Sequence, residues 1–348
     1  MMKLSERGGI LIGLAIIAMA AAPVPPVPGS PAEMSTAPAT GLAQPFAADE
    51  DTETLAIDLD QTQRMTVPVT INGEGPFPFV IDTGAERTFV SEELAARLGL
   101  VAEDEISIQT VSGTYSVPLI PDADILVSGN AQQSVEMPIL PRRSLGAEGI
   151  LGLDTLANTH ILFDIAERTM AVRPSAPAEK KKRRERLEPG TIVVTAERRH
   201  GRLIFTEAKM NGVEVGIVLD TGAEMSLGNL ALRNALLKKR REEEDGIELI
   251  DVMGVSLDAE LGRVRRLVLD DLMIRGGVVA FSDAPVFAKL DMDDAPALLL
   301  GMETMRAFEA VSVDFPKRQV RFQLPATAVK KYGLRHNCGG TRITRYGC

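Results

Sequence analysis

Tryptophan is absent from these 348 residues, and aromatic residues as a whole make up only 4%. With 45% hydrophobic residues a sizeable core is still available, so that core must be built from Val, Ile, Leu, Met and Ala. Cysteine occurs twice, at Cys338 and Cys348, and histidine three times, at His160, His200 and His336. No metal-ligand spacing can be assembled from so few, and neither a Cys–His pair nor a nucleophilic Ser with a partnered His can be argued. No Gly-rich loop follows a strand and opens a helix, which removes the usual phosphate cradle. No cofactor is called for. Basic residues are outnumbered, and the formal net charge of -10 speaks against a nucleic-acid partner, because binding phosphate needs a basic surface.

Three segments carry no core of their own. Lys3 and Arg7 precede an apolar run from Gly8 to Ala22, and Ala18-Met19-Ala20 fits the small-x-small pattern ahead of a cleavage point. Residues 1–22 are therefore expected to be a signal peptide, with an uncleaved membrane anchor as the alternative. Residues 23–52 are rich in Pro, Ala, Ser and Thr and read as a flexible spacer. Residues 175–190 hold Lys180-Lys181-Lys182-Arg183-Arg184, a solvated linker rather than a processing site. The two cysteines lie in a tail, 326–348. An exported protein, periplasmic or secreted, could close them into a loop worth about 3 kcal/mol.

What is present is a repeat. Asn72-Gly73 stands between the β-rich runs Met65–Ile71 and Phe77–Ile81, and Asn211-Gly212 stands between Leu203–Met210 and Val213–Leu219. Asn-Gly between such runs signals a tight hairpin. Each hairpin then runs into the same heptapeptide: Val80-Ile81-Asp82-Thr83-Gly84-Ala85-Glu86 and Val218-Leu219-Asp220-Thr221-Gly222-Ala223-Glu224. A polar turn follows, Ser112-Gly113-Thr114 in the first copy and, less closely matched, Gly254 in the second. Next come Leu151-Gly152-Leu153-Asp154-Thr155-Leu156 and Leu300-Gly301-Met302-Glu303-Thr304-Met305, then strand pairs marked by Asp164 and Arg168, and by Asp314 and Arg318. Five landmarks in register indicate two similar lobes, 53–174 and 191–325. Many short strands with turn signals make each mainly β, so the fold class is all-β and bilobal. Ser91 is expected to cap a short helix over Glu92–Leu98. The charged run from Lys238 to Asp245 reads as an exposed helix end.

These residues resemble the aspartic proteases of the pepsin and retropepsin clan, and each half is similar to the retropepsin-like domains of bacterial proteins. The resemblance rests on both Asp-Thr-Gly triplets, on Thr88-Phe89-Val90-Ser91, and on the apolar-apolar-Gly elements ending at Gly152 and Gly301. It implies a bilobal acid-protease fold with Asp82 and Asp220 as the catalytic pair, Thr83, Gly84, Thr221 and Gly222 supporting their loops, and Ser112, Gly113, Thr114 and Gly254 in a flap over substrate. The partner implied is an extended polypeptide and the form a monomer, with an intermolecular dimer as the alternative.

Chemistry supports the same reading. An apolar strand ending in Asp-Thr-Gly delivers a carboxylate at a tight turn, and glycine lets the backbone approach its mate. Two carboxylates side by side cannot both ionise and would share one proton, an effect for which aspartic proteases are the standard example. Both triplets are followed by Ala where pepsin-like enzymes carry Ser or Thr. Losing that hydroxyl donor is expected to raise the pair's pKa values and make the optimum less acidic than that of gastric pepsin. Glu86 and Glu224 read as exposed turn carboxylates, with paired contacts between the lobes as the alternative. Tyr115, near the flap tip, is open between a flap role and a packed aromatic. The rival from another class is a non-catalytic peptide-binding or regulatory module on the same fold.

Overall fold

A computed structural model describes residues 11–12, 53–56, 58–59, 64–127, 133–175, 187–199, 202–237, 245–270 and 272–325. The expectations for the leader and spacer, for most of the linker, for the charged run from 238 and for the tail cysteines fall outside these residues or nearly so. The fold is all-β, built as three sheets with a few short helices.

Each half contributes one large sheet, and the two share one strand order, except that Leu11–Ile12, from the expected leader, adds an edge strand parallel to Asp104–Gln109 in the first. In the first half the order runs Asp104–Gln109, Thr114–Val127, Gln133–Leu140, Phe89–Ser91, Gly149–Leu151, Glu74–Ile81, Met65–Ile71 and Asp58–Leu59. In the second it runs Asp245–Ile250, Ser256–Leu269, Leu272–Phe281, Leu227–Gly228, Ala297–Leu300, Val213–Leu219, Arg202–Met210 and Glu197–Arg199. Each sheet curls on itself through one further pairing, Met65–Ile71 with Thr114–Val127 and Arg202–Met210 with Ser256–Leu269.

The hairpins ahead of the aspartates form where Asn-Gly predicts them. Asn72 and Gly73 take φ 50° and 81°, and Asn211 and Gly212 take 49° and 88°. Both central positions are thus left-handed, which Asn and Gly tolerate and which suits the twist of the flanking strands. The short apolar strand of each half then slots in parallel beside the strand that carries the aspartate, Leu151 against Ile81 and Leu300 against Leu219. All four positions are buried, as a strand covered on both faces requires.

The third sheet joins the halves. Thr159–Asp164 pairs antiparallel with Ala310–Asp314, setting His160 opposite Asp314 and Leu162 opposite Ser312. Outward from this seam lie Thr169–Pro174 and Glu53–Ala56 on one side, and Gln319–Gln323 and Thr191–Thr195 on the other. One buried cluster runs through the seam, from Ile81, Leu153 and Phe163 to Leu219, Met302, Val313 and Phe322. The helix over Glu92–Arg97 is capped by Ser91, whose Oγ accepts from Leu94 N at 3.1 Å, and Gly99 follows it at φ 64°. Among the described residues no helix is long and apolar enough to cross a membrane.

Candidate active site

Asp82 and Asp220 each leave the end of a central strand and enter a two-residue turn. The turn bends back on its own carboxylate. Asp82 Oδ1 accepts from Gly84 N at 2.7 Å and Ala85 N at 3.0 Å, and Asp220 Oδ1 accepts from Gly222 N and Ala223 N, both at 3.1 Å. The strand behind fixes the aspartate itself: Asp82 N donates to Leu151 O and Asp220 N to Leu300 O, each at 3.0 Å. One oxygen of each carboxylate is thus held by backbone donors. The other, Oδ2, is buried with no hydrogen-bond partner among the described residues.

The threonines cross between the loops. Thr83 Oγ1 donates to Leu219 O at 2.8 Å and accepts from Thr221 N at 3.2 Å. Thr221 Oγ1 donates to Ile81 O at 2.8 Å and accepts from Thr83 N at 3.0 Å. Four buried hydrogen bonds therefore tie one turn to the other. The closeness this produces requires glycine, because a Cβ at Gly222 would lie 2.3 Å from Asp82 Cγ.

Burial raises the pKa of Asp82, opposed first by the backbone N–H of Gly84. Burial also drives Asp220 well above the ordinary carboxylate range, and the neighbouring charge of Asp82 adds to it. Two carboxyls this close and this dry favour a pair carrying one proton.

Further residues steady the loops. Thr88 Oγ1 accepts from Gly152 N at 3.1 Å, and Ser226 Oγ accepts from Gly301 N at 3.1 Å. Each glycine sits where side chains have no room, since a Cβ at Gly152 would lie 2.1 Å from Arg87 O and one at Gly301 would lie 2.6 Å from Met225 C. Arg202, wholly buried, reaches from the second half to the first Asp-Thr-Gly loop. Its Nε and Nη2 donate to Gly84 O at 2.9 and 2.7 Å, and Nη1 pairs with Glu86 Oε1 at 3.0 Å. Glu86 is therefore a contact between the lobes, not the exposed turn carboxylate expected by default, because a guanidinium buried in the opposite half needs its charge. Arg64, equally buried at the matching place in the first half, donates to Leu145 O. Both arginines were missed in the sequence, although each precedes its aspartate by eighteen residues.

The expected flap is one of two matched turns. Thr110 N donates to Gly113 O at 2.7 Å, and Gly254 N donates to Asp251 O at 2.9 Å. Gln109 braces the first turn, its Nε2 reaching Thr110 O and Gly113 O at 2.8 Å while its Oε1 accepts from Thr114 Oγ1 at 2.6 Å. Gly254, at φ 76°, belongs to the second turn. Ser112 joins the turns across the lobe boundary: its Oγ donates to Asp251 Oδ2, as does Thr110 Oγ1 at 2.5 Å. Tyr115 packs beneath its own turn, hydrogen-bonded to Ser112 Oγ at 2.9 Å. Among the described residues no group of three or more His, Cys, Asp or Glu is gathered to hold a metal.

The chain is thus an all-β fold in which two Asp-Thr-Gly turns are hydrogen-bonded to each other. Residues 67–158 match the family model of the gag-polyprotein putative aspartyl proteases. Solved structures similar to the chain include a retropepsin-like aspartic protease from Rickettsia conorii, at 20% identity and TM-score 0.28 over 39% of this chain and 100% of that one. Others are conglutin gamma, a basic 7S globulin from lupine seeds (11% identity, TM-score 0.43, 81% and 97% covered), and basic 7S globulin from soybean (10%, 0.41, 80% and 97%). No curated protein matches the chain.

Proposed function

We propose that the protein is an aspartic endopeptidase whose one active site is shared between two lobes of a single chain, with Asp82 and Asp220 as its catalytic pair. The observation that carries this reading is the reciprocal threonine bonding between the two turns, which sets two buried carboxyls side by side. Their protonation belongs to the pair. With one proton shared, the charged carboxylate takes a proton from a water held between them. That water attacks the scissile carbonyl directly, while the protonated carboxyl hydrogen-bonds the oxygen on which charge develops. The backbone N–H groups occupy each Oδ1, which leaves each Oδ2 for the chemistry. An extended polypeptide would lie between the pair and the two turns, held by strand-like hydrogen bonds. The protein acts as a monomer with an internal pseudo-dimer, in the periplasm or outside the cell.

The test is cleavage of a peptide library from pH 3 to pH 8 by the protein freed of its first 52 residues, with pepstatin as a probe. Cleavage blocked by pepstatin is the expected result. A rate peaking near pH 2 would contradict the effect assigned to Ala85 and Ala223. Folded protein that cleaves nothing across the range would favour a peptide-binding module instead.

A further inference from the structure

The two aspartate loops repeat each other in backbone but not in what stands behind them. Asp82 Oδ1 takes its two backbone donors at 2.7 and 3.0 Å, and Asp220 Oδ1 takes both of its own at 3.1 Å. Behind the second donor to Asp82 stands a charge. Gly84 O and Ala85 N belong to one peptide group. Arg202 gives that carbonyl two hydrogen bonds, from Nε at 2.9 Å and Nη2 at 2.7 Å, while the N–H of the same group donates to Asp82 Oδ1. Guanidinium, peptide and carboxylate therefore form one continuous chain, in which each hydrogen bond polarises the next. At the matching place in the first half, Arg64 Nη2 instead donates to Leu145 O, within its own half.

The counter-charge on Arg202 does not cancel this effect. The Arg202 side chain is 0% exposed, whereas that of Glu86 is 23% exposed. A fully buried charge acts on its neighbours through a low dielectric, and a charge that reaches water is screened. The charged residues around the two loops are Arg202 and Glu86, with Arg64 and Glu224 at the matching places of the repeat. Farther out, Arg87 pairs with Glu136, and Asp154 accepts from Thr88. Burial raises the pKa of both central carboxyls. The N–H groups of Gly84 and Ala85 and the charge of Arg202 pull Asp82 back, while the charge of Asp82 pushes Asp220 further up.

We infer that Arg202 is a positioning residue for the shared proton: acting through the Gly84–Ala85 peptide, it keeps the negative charge on Asp82 and leaves the proton on Asp220. Asp82 is then the member that takes a proton from the attacking water, and Asp220 the member that hydrogen-bonds the scissile carbonyl. Those two roles rest on the endopeptidase reading, whereas the place of the proton does not. A site built from two similar halves acquires in this way a fixed base and a fixed acid.

The test follows the carbon-13 signals of the aspartate carboxyls from pH 3 to pH 9 in the full chain, with Asp82→Asn and Asp220→Asn identifying the two that matter. Asp82 is expected to ionise first and Asp220 only at higher pH. Removing a cation disfavours a carboxylate, so Arg202→Met is expected to raise the Asp82 midpoint by about one pH unit. Removing an anion does the opposite, so Glu86→Gln is expected to lower it, and by less, because that charge is screened. A merely structural role would move both variants in the same direction or in neither, and either result would overturn the inference. Should Arg202→Met not fold, Glu86→Gln decides alone: a lowered midpoint upholds the role of Arg202, and an unchanged or raised one sinks it. In the active protein the acid limb of kcat/KM should move with the Asp82 midpoint. Opposite shifts in a protein that cleaves nothing would uphold the role of Arg202 and overturn the endopeptidase reading. Unmoved midpoints in a protein that cleaves would do the reverse.

Discussion

The two halves agree most closely around the aspartates and least at the tips above them. Around the aspartates the backbone repeats bond for bond: Leu153 N to Ala85 O at 2.9 Å and Met302 N to Ala223 O at 2.8 Å, Asp154 N to Glu86 O at 3.1 Å and Glu303 N to Glu224 O at 2.9 Å. At the tips, two hydroxyls in one half oppose a carboxylate in the other. The contrast has a physical reason. A symmetric pair of first halves would meet hydroxyl to hydroxyl, and a symmetric pair of second halves would drive one buried carboxylate against another. Only within one chain can donor face acceptor. On the proposed function the cradle must stay alike because its two carboxyls would do one job together, whereas the tips are free to differ.

The largest expected effect probes the part that is alike. Asp82→Asn and Asp220→Asn should each lower kcat on the order of 10⁴-fold, as when one member of a catalytic unit is removed. Comparable losses, read in steady-state cleavage of one peptide, would confirm that the halves share the chemistry. Activity surviving either change would break the comparison at its centre. Next in size is Arg202→Met, which removes the donors to Gly84 O and leaves Glu86 without its guanidinium. A cost of about 3–5 kcal/mol is expected in urea unfolding. Arg202→Lys should not restore it, since an ammonium cannot supply the fork that reaches both partners.

A third prediction tests the seam. His160 occupies a place that Ala310 fills in the other half. It is 2% exposed, accepts from Arg173 Nε at 3.2 Å, and lies 3.7 Å from Asp314. Burial, opposed by Asp314 and reinforced by Arg173, Arg321 and Lys317, lowers its pKa to about 4. Unfolded chains gain a proton here as pH falls below about 6.5, while the folded protein stays neutral down to about 4. Stability is therefore full above pH 6.5 and falls across that window by about 3 kcal/mol. His160→Gln should flatten the slope by about one proton, read as urea midpoints at pH 7 and pH 4.5. An unchanged slope would mean the imidazole is not held neutral.

Much of this was legible in the sequence because it is local. Asn-Gly sets its own turn, Asp-Thr-Gly bends onto its own carboxylate, and Ser91 caps its own helix. The repeat then made each local signal count twice and gave the all-β class. What escaped were long-range polar contacts. Nothing near Arg202 says that it ends at Glu86, 116 residues away, and nothing near Asp251 says that it meets Ser112, 139 residues away. The second of the two paired turns was half seen, because glycine marked its position at Gly254 while no local signal tells that Asp251 binds Thr110 and Ser112.

The smallest expected effect returns to the cradle, at a place where its two copies diverge. Thr88 N and Oγ1 both reach Asp154, at 2.9 and 2.7 Å, and Thr88 Oγ1 lies 3.0 Å from Thr155 Oγ1. In the second half Ser226 Oγ lies 3.2 Å from Thr304 Oγ1, and the residue at the place of Asp154 is Glu303. Asp154→Ala removes an acceptor from a buried threonine and a backbone N–H, and should cost about 1 kcal/mol; its exposed setting keeps the figure low. Glu303→Ala removes a side chain that is also exposed, and should change stability by no more than about 0.5 kcal/mol. Thermal unfolding of both variants measures the difference. Equal costs would mean that the two cradles are braced alike despite their different residues; a loss confined to Asp154→Ala would place the first loop's extra bracing in that one carboxylate.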